Sequence, residues 1–383
     1  MSHSIPFIDL SRYPTQWYTE IVAAWEHCLK TTQFVGGEEV ARFEVALAKK
    51  LGVKHAVSCA NGTDALIVAL QAAGVQSGAK VAVPAVTFWA VYEAVVQIGA
   101  VPVFIDIDSE DLHLSFDQLQ EAHTQFGLTA VIYPHMFGWT SNAIFSVRDF
   151  ARKEGIRLIE DGAQAFGVTL EDGSSIFSGA DIATQSFYPA KVFGGCMDGG
   201  AVLTNSEQDA DTVRSLCNHG RDQHFLHGAV GWNSRMSGLQ AAFLNIQLGQ
   251  IDAILKDRLT SLAFYSKHMQ DVHEAKLSLP PSGICGNGYL AVITMESSLR
   301  DSFQNTLKQA GIATGQVYPL PMHRQAPASN SLRISDLTNS ERFCSQVVNL
   351  PLFYGMTCEE LERVVSVVNG FFAQLEQPVA HNQ

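Results

Sequence analysis

The sequence predicts an α/β protein, with a large N-terminal unit on a mainly parallel sheet and a smaller α+β unit behind it. Three observations predict it. Short apolar runs alternate with helical periods up to about Ser206. A long periodic stretch then runs from Ser237 to Met269. Pro280-Pro281-Ser282-Gly283 breaks the chain before a second, shorter set of elements. Strands alternating with helices give a parallel sheet covered on both faces. Such sheets bind ligands at the carboxyl ends of their strands.

In order, Ala56–Ala60 reads as a strand, and Asn61-Gly62-Thr63-Asp64 opens a helix from Ala65 to Ala73. Val81–Pro84 is a second strand, followed by a helix around Phe88 to Ile98. Val101–Ile107 and Thr129–Pro134 are further strands, and Ile144–Lys153 is a helix. Arg157–Asp161, Asp181–Phe187 and Ala201–Thr204 complete the strands of the large unit. Residues 210–275 read as mostly helical. Beyond the break come a strand at Tyr289–Met295, a helix at Leu299–Ala310, an extended run at Val347–Leu350 and a helix at Thr357–Phe372. The division is expected near 275/276, giving units 1–275 and 276–383, with a polar, frayed tail from Gln377.

Of the 383 residues, 46% are apolar and only 16% are charged, enough for a sizeable core and a surface partly covered by a partner subunit. Acidic residues outnumber basic ones 38 to 25, and the net charge of −13 argues against a nucleic-acid ligand. A phosphorylated small molecule needs only a local pocket of donors. Met1–Leu10 lacks the order of a signal peptide, and no apolar run is long enough to span a bilayer, so neither export nor membrane insertion is expected. The seven cysteines are scattered, with no CxxC spacing, which favours reduced cytosolic thiols over disulfides or a zinc site; no metal is expected.

Candidate chemistry begins at Lys191, in Ser186-Phe187-Tyr188-Pro189-Ala190-Lys191, ahead of a glycine-rich loop. A partly desolvated amine there is a nucleophile toward an aldehyde, although an isolated loop lysine is usually a surface group. That is the setting of a Schiff-base lysine carrying pyridoxal phosphate (PLP), with Ser186 near the phosphate. Gly62 and Thr63, between a strand and a helix, form an anion cup or an ordinary helix cap. Asp161, at a strand end, faces either a pyridine nitrogen or the next helix, with Gln164 three residues on. Phe88 is either a ring-stacking surface or a core aromatic, and Trp89 is its rival. Asn233 and Arg235 precede the long helix as anion contacts or surface caps. No serine elbow, HExxH, Walker or GxGxxG motif follows a strand.

Taken in order, NGTDAL (61–66), PAVTF (84–88), EDGAQAFG (160–167), SFYPAK (186–191), DGGAV (198–202), NHGRD (218–222) and GWNSRM (231–236) resemble the PLP-dependent sugar aminotransferases of the DegT/DnrJ/EryC/StrS family. FIDL (7–10), FVGGEEVARFE (34–44) and YPLPMHRQ (318–325) extend the resemblance over most of the chain. The resemblance implies a type I aminotransferase fold, a large domain on a mixed seven-stranded sheet with a smaller C-terminal domain, and a cytoplasmic homodimer with shared active sites. It implies that Lys191 holds PLP as a Schiff base, Asp161 pairs with the pyridine nitrogen and Gln164 lies near the ring hydroxyl. Gly62, Thr63 and Ser186 would hold the phosphate, Phe88 would stack on the ring, and Asn233 would reach the phosphate from the neighbouring subunit. Arg221, Tyr318 and His323 are candidate substrate contacts. Four departures stand out: Gly162 where Ala is usual, Ala190 where Thr is common, Phe193 where a smaller aliphatic residue is usual, and LPLFYGMT (350–357) without the family's histidine.

The implied activity is amino transfer from glutamate to a keto group of a nucleotide-linked sugar, making an amino sugar for polysaccharide or glycoconjugate synthesis. Residues 219–236 resemble members acting on 3-keto sugars more than those acting on 4-keto-6-deoxy sugars, the alternative. A family dehydratase would carry histidine in place of Lys191, and a non-catalytic sensor would not need the set Lys191, Asp161, Ser186 and Thr63.

Overall fold

A computed structural model describes residues 4–223, 225–269 and 273–375, and the tail from Gln377 lies outside them. The first unit carries β1 (His55–Cys59), β2 (Lys80–Pro84), β3 (Val101–Ile105), β4 (Ala130–Pro134) and β5 (Arg157–Asp161). After the two-residue β6 (Thr169–Leu170) come β7 (Ile182–Ser186) and β8 (Gly200–Thr204), then a hairpin of β9 (Arg221–Gln223) and β10 (Leu226–His227). The C-terminal part adds β11 (Ala275–Ser278), β12 (Ile284–Cys285), β13 (Ala291–Met295), β14 (Leu332–Arg333) and β15 (Val347–Leu350).

The large sheet runs β1-β8-β7-β5-β4-β2-β3-β14. β8 pairs antiparallel with both its neighbours and every other pairing is parallel, so the sheet is mixed and mostly parallel, as expected. Seven strands come from the first unit, and β14 adds an eighth at the edge through a parallel pairing with β3. The central strands are buried along almost their whole length, which is why β2 and β4 read as apolar runs rather than alternating ones. Asn61 caps the helix Gly62–Ala72 by accepting from the Asp64 N–H at 2.8 Å, and Ser115, Ser206 and Ser237 cap three others in the same way.

The smaller sheet, β11-β13-β15, is antiparallel and packs against the helices Ser297–Gln309 and Cys358–Leu375 through Phe303, Phe371 and Phe372. The expected division at 275/276 falls at the start of β11, but two segments cross it. β14 joins the large sheet, and the N-terminal arm joins the small unit: the Ile5 N–H donates to the Gly311 carbonyl at 2.8 Å, and Arg12 pairs with Glu360 at 2.8 Å. Residues 210–275 are less helical than expected. Between the helices Glu207–Cys217 and Gly238–His268 the chain makes the β9–β10 hairpin and extended loops. Gly220 and Gly231 explain part of this, because a Cβ on either would meet backbone atoms at 2.0–2.2 Å, so the chain there folds back on itself.

Beneath the end of β5 lies a buried charge network. Arg148 donates to Glu160 through Nε at 2.7 Å and Nη2 at 2.8 Å, and His135 Nε2 lies 2.9 Å from the same carboxylate. Burial pushes the Glu160 carboxyl up, but the hydrogen bonds from His135 and Arg148 outweigh it and hold the group below the ordinary glutamate range. Arg148→Met leaves that carboxylate without its main partner and is expected to cost about 3–5 kcal/mol in urea unfolding at pH 7. Because the folded group binds protons less tightly than the unfolded one, the wild-type contribution is present above the unfolded value and is lost as pH falls through the folded one. The variant's deficit should therefore shrink below about pH 4.

Candidate active site

The carboxyl ends of β2, β4, β5 and β7 open into a cavity of about 770 Å³. Eight of the residues singled out from the sequence line it: Gly62, Thr63, Phe88, Asp161, Gln164, Ser186, Lys191 and Tyr318. They converge because parallel strands deliver their end residues to the same edge.

At one end the Gly62–Ala72 helix points its first turn into the cavity, where the N–H groups of Gly62 and Thr63 have no acceptor within the helix. A Cβ on Gly62 would lie 2.7 Å from Cβ of Ser186, so the end of β7 comes close only because residue 62 is glycine. This is a donor-rich cradle of the shape and charge a phosphate needs, and its lining includes the hydroxyls of Thr63 and Ser186. Gly62→Ala is expected to weaken PLP binding about 10-fold or more, read by equilibrium dialysis, since it pushes Ser186 away from the helix terminus.

Asp161 ends β5 and is buried. Its Oδ1 accepts from the Ala163 N–H at 3.0 Å and the Thr184 hydroxyl at 3.5 Å. Burial raises its pKa, and the Ala163 N–H and the Lys191 charge pull it partly back. A protonated ring nitrogen in the cavity would supply the cationic partner this carboxylate lacks. Gln164 Oε1 accepts from the Phe137 N–H at 2.7 Å, leaving Nε2 to donate to the Tyr318 hydroxyl at 3.1 Å. Burial pushes the Tyr318 phenol well above its usual range, so it stays neutral and able to donate. Phe88 is 54% exposed and its ring lies 6.3 Å from that of Tyr318, so it is a wall of the cavity rather than a core aromatic. Trp89 packs instead on Tyr92 at 4.6 Å.

Lys191 follows a turn in which its N–H donates to the Tyr188 carbonyl at 2.9 Å. Its Nζ lies 3.4 Å from the Tyr289 hydroxyl. Tyr289 and His135 also line the cavity and were missed in the sequence. His135 follows an apolar strand and Tyr289 precedes one, and no spacing marks either as part of a site.

Three candidates lie outside this wall. His323 is buried, with Nε2 3.1 Å from Glu341 and its ring edge on Phe104, so it faces the C-terminal segment. Burial lowers its pKa against the opposing pull of Glu341. Arg221 sits in β9 with a buried Nε that has no partner among the described residues. Asn233 is exposed, accepts from Arg235 and bridges to Asn218.

Three of the four departures from the family pattern have structural reasons. A Cβ on Gly162 would lie 2.3 Å from Gln185 Nε2 and 2.6 Å from Phe177 Cζ, so neighbouring side chains already fill that space. Phe193 is fully buried, stacked on Phe166 at 4.3 Å and edge-on to Phe187, so its bulk is absorbed by the core and not by the cavity. Along 350–357, Phe353 is buried and Tyr354 stacks on Tyr13 and Trp17, anchoring the N-terminal arm. Among the described residues no cluster of His, Cys, Asp or Glu can hold a metal ion, and no helix is long and apolar enough to cross a membrane.

A phosphate cradle, a buried carboxylate without a cation and an amine beside them form a donor set that fits PLP. Comparison with known proteins agrees. A pleiotropic regulatory protein of Geobacillus stearothermophilus is 31% identical over 96% of this chain and 99% of its own length. The UDP-N-acetyl-3-dehydro-alpha-D-glucosamine 3-aminotransferase of Acidithiobacillus ferrooxidans is 31% identical over 95% of this chain and 97% of its own. The crystal structure of S. venezuelae DesV in complex with a ketimine intermediate superposes with a TM-score of 0.92 at 29% identity, covering 98% of this chain and all of that one. Residues 16–369 match the model of the DegT/DnrJ/EryC1/StrS aminotransferase family, so the chain belongs to that family of PLP-dependent enzymes.

Proposed function

We propose that this aminotransferase moves an amino group from glutamate to the keto group of a nucleotide-linked sugar, with a 3-keto sugar as the preferred acceptor. The observation that carries it is the convergence of Lys191, Asp161 and the Gly62–Thr63–Ser186 cradle on one cavity large enough for a cofactor and a sugar. The Acidithiobacillus relative, named for a 3-dehydro sugar nucleotide, supports the ring position.

When bound, PLP supplies an electron-poor ring that takes up the electron pair of a broken C–H bond. Lys191 carries it covalently, and its freed Nζ takes up the α-proton of the amino donor. Asp161 holds the ring nitrogen protonated. Gly62, Thr63 and Ser186 would hold the phosphate, Phe88 would stack on the ring, and Gln164 would lie near its hydroxyl. Tyr318, neutral and aimed into the cavity, contacts the substrate. Asn233 and Arg221, both outside this cavity, act from a second copy in a homodimer. The place of work is the cytoplasm, in keeping with seven free cysteines, and the product feeds cell-surface polysaccharide or another glycoconjugate. One relative is named as a regulator, but the set Lys191, Asp161, Thr63 and Ser186 supports turnover in this chain.

The test is a panel of 3-keto and 4-keto-6-deoxy nucleotide sugars with glutamate and PLP-loaded enzyme. Product from the 3-keto members supports the proposal. Turnover of only the 4-keto members moves the ring position, and turnover of only simple keto acids removes the sugar assignment.

A further inference from the structure

Tyr289 is the one side chain hydrogen-bonded to Lys191 Nζ among the described residues. Its hydroxyl is 3.4 Å from Nζ, long for such a bond, and Nζ also lies 5.2 Å from the centre of its ring, within cation–π range. The tyrosine is itself held from several sides. Its N–H donates to Asn287 Oδ1 at 2.9 Å, and its carbonyl accepts from Arg258 Nη2 at 2.9 Å. Asn287 Nδ2 in turn donates to the carbonyls of Gln164 and Phe166 at 2.9 and 3.0 Å, which ties this turn to the loop that follows Asp161. Gly138 has no room for a side chain, because a Cβ there would meet Cβ of Tyr289 at 2.9 Å. The backbone and Cβ from which the hydroxyl extends are therefore held in place.

Tyr289 also stands between two spaces. It lines the large cavity and a small one, of about 20 Å³, that lies against Arg258 and the N-terminal arm. Lys191 borders both. A lysine has four rotatable side-chain bonds, so an amine no longer tethered to a cofactor has many positions to visit. We propose that Tyr289 is the positioning residue for Lys191, holding its freed amine on the large-cavity side so that Nζ stays in reach of the donor's α-proton. This rests on the reading of Lys191 as the amine that carries PLP.

The experiment uses full-length, PLP-loaded enzyme as wild type, Tyr289→Phe and Tyr289→Leu. Borohydride trapping with peptide mass analysis comes first. If wild type is not trapped at Lys191, the reading of Lys191 fails and this inference with it. With trapping intact, Tyr289→Phe is expected to slow the glutamate half-reaction about 10²-fold, the cost of a small misplacement of a reacting group, while KM for glutamate changes little. The deuterium effect with 2-deuterated glutamate should rise, since proton transfer becomes the slow step, and Tyr289→Leu should be slower still. In cofactor-free protein, reductive methylation of Lys191 by formaldehyde should be several-fold faster in both variants, because the amine is no longer held. Wild-type half-reaction and methylation rates in Tyr289→Phe would overturn the inference. So would an effect confined to KM, or loss of trapping at Lys191 in Tyr289→Phe, which would make the tyrosine part of attachment.

Discussion

Lys191→Ala is expected to give a folded protein that binds PLP without covalent attachment. Borohydride should leave no label at position 191, and amino transfer should fall by about 10⁴-fold or more, because the variant loses both the nucleophile and the proton carrier. Folding should survive. Lys191 is half-buried, and its only hydrogen-bonding side-chain partner among the described residues is Tyr289, so truncation breaks no ion pair, and the buried Asp161 that loses its charge can take up a proton. The cradle of Gly62, Thr63 and Ser186 does not depend on the lysine, so noncovalent PLP should still be retained and seen by its absorbance after gel filtration. A Lys191→Ala enzyme that turns over at wild-type rate would remove Lys191 from the chemistry. An added primary amine should restore a small part of the lost rate, which would place the defect at the missing amine and not at the fold.

The second large effect is expected at Asp161→Asn, and its sign differs between stability and catalysis. In the cofactor-free protein burial raises the Asp161 carboxyl above its unfolded value. The folded state then binds the proton more tightly than the unfolded one, so the ionised group costs stability at any pH above both values. Asparagine keeps the acceptor for the Ala163 N–H and removes the charge. The cofactor-free variant should therefore melt at a higher temperature than wild type at pH 7, and the difference should vanish below about pH 4, where the wild-type carboxyl is protonated. Catalysis should move the other way. Without the carboxylate the ring nitrogen is no longer held protonated, and amino transfer should fall on the order of 10²–10³-fold, comparable to breaking a buried ion pair. A variant less stable than wild type at pH 7 would mean that the carboxylate is already well compensated without the cofactor.

Much of this was legible in local pattern. Of the strands that bear on the cavity, β2 and β4 appeared as short apolar runs, because both faces of a covered parallel sheet are dry, while β5 and β7 carry polar residues at their carboxyl ends. The helix opening at Asn61–Asp64 was legible, though the helix begins at Gly62 rather than Ala65, with Asn61 as its cap. The hairpin at 221–227 was not, because its two strands are three and two residues long and no alternation develops over so short a run. The same holds for β14, whose pairing with β3 spans more than 200 residues of chain.

Phe88 shows where an open reading closes. Its sequence neighbourhood suits a core ring as well as a stacking surface, and only its exposure at the cavity wall separates the two. His323 shows the converse. It stands in a stretch that resembles the family's, yet it turns to Glu341.

By itself the sequence determined the order of the main strands and helices of the large unit and, with it, the strand-end positions of Asp161 and Ser186, with Lys191 in the loop after β7. Those follow from periods of two and 3.6 residues, which are local properties of the chain. Tertiary structure alone decided what meets Lys191. Tyr289 arrives from 98 residues away, and Tyr318 reaches Gln164 across 154. The N-terminal arm crosses to the small unit at Gly311 and Glu360. Such meetings are set by how distant, separately folded segments pack, and no spacing along the chain encodes them.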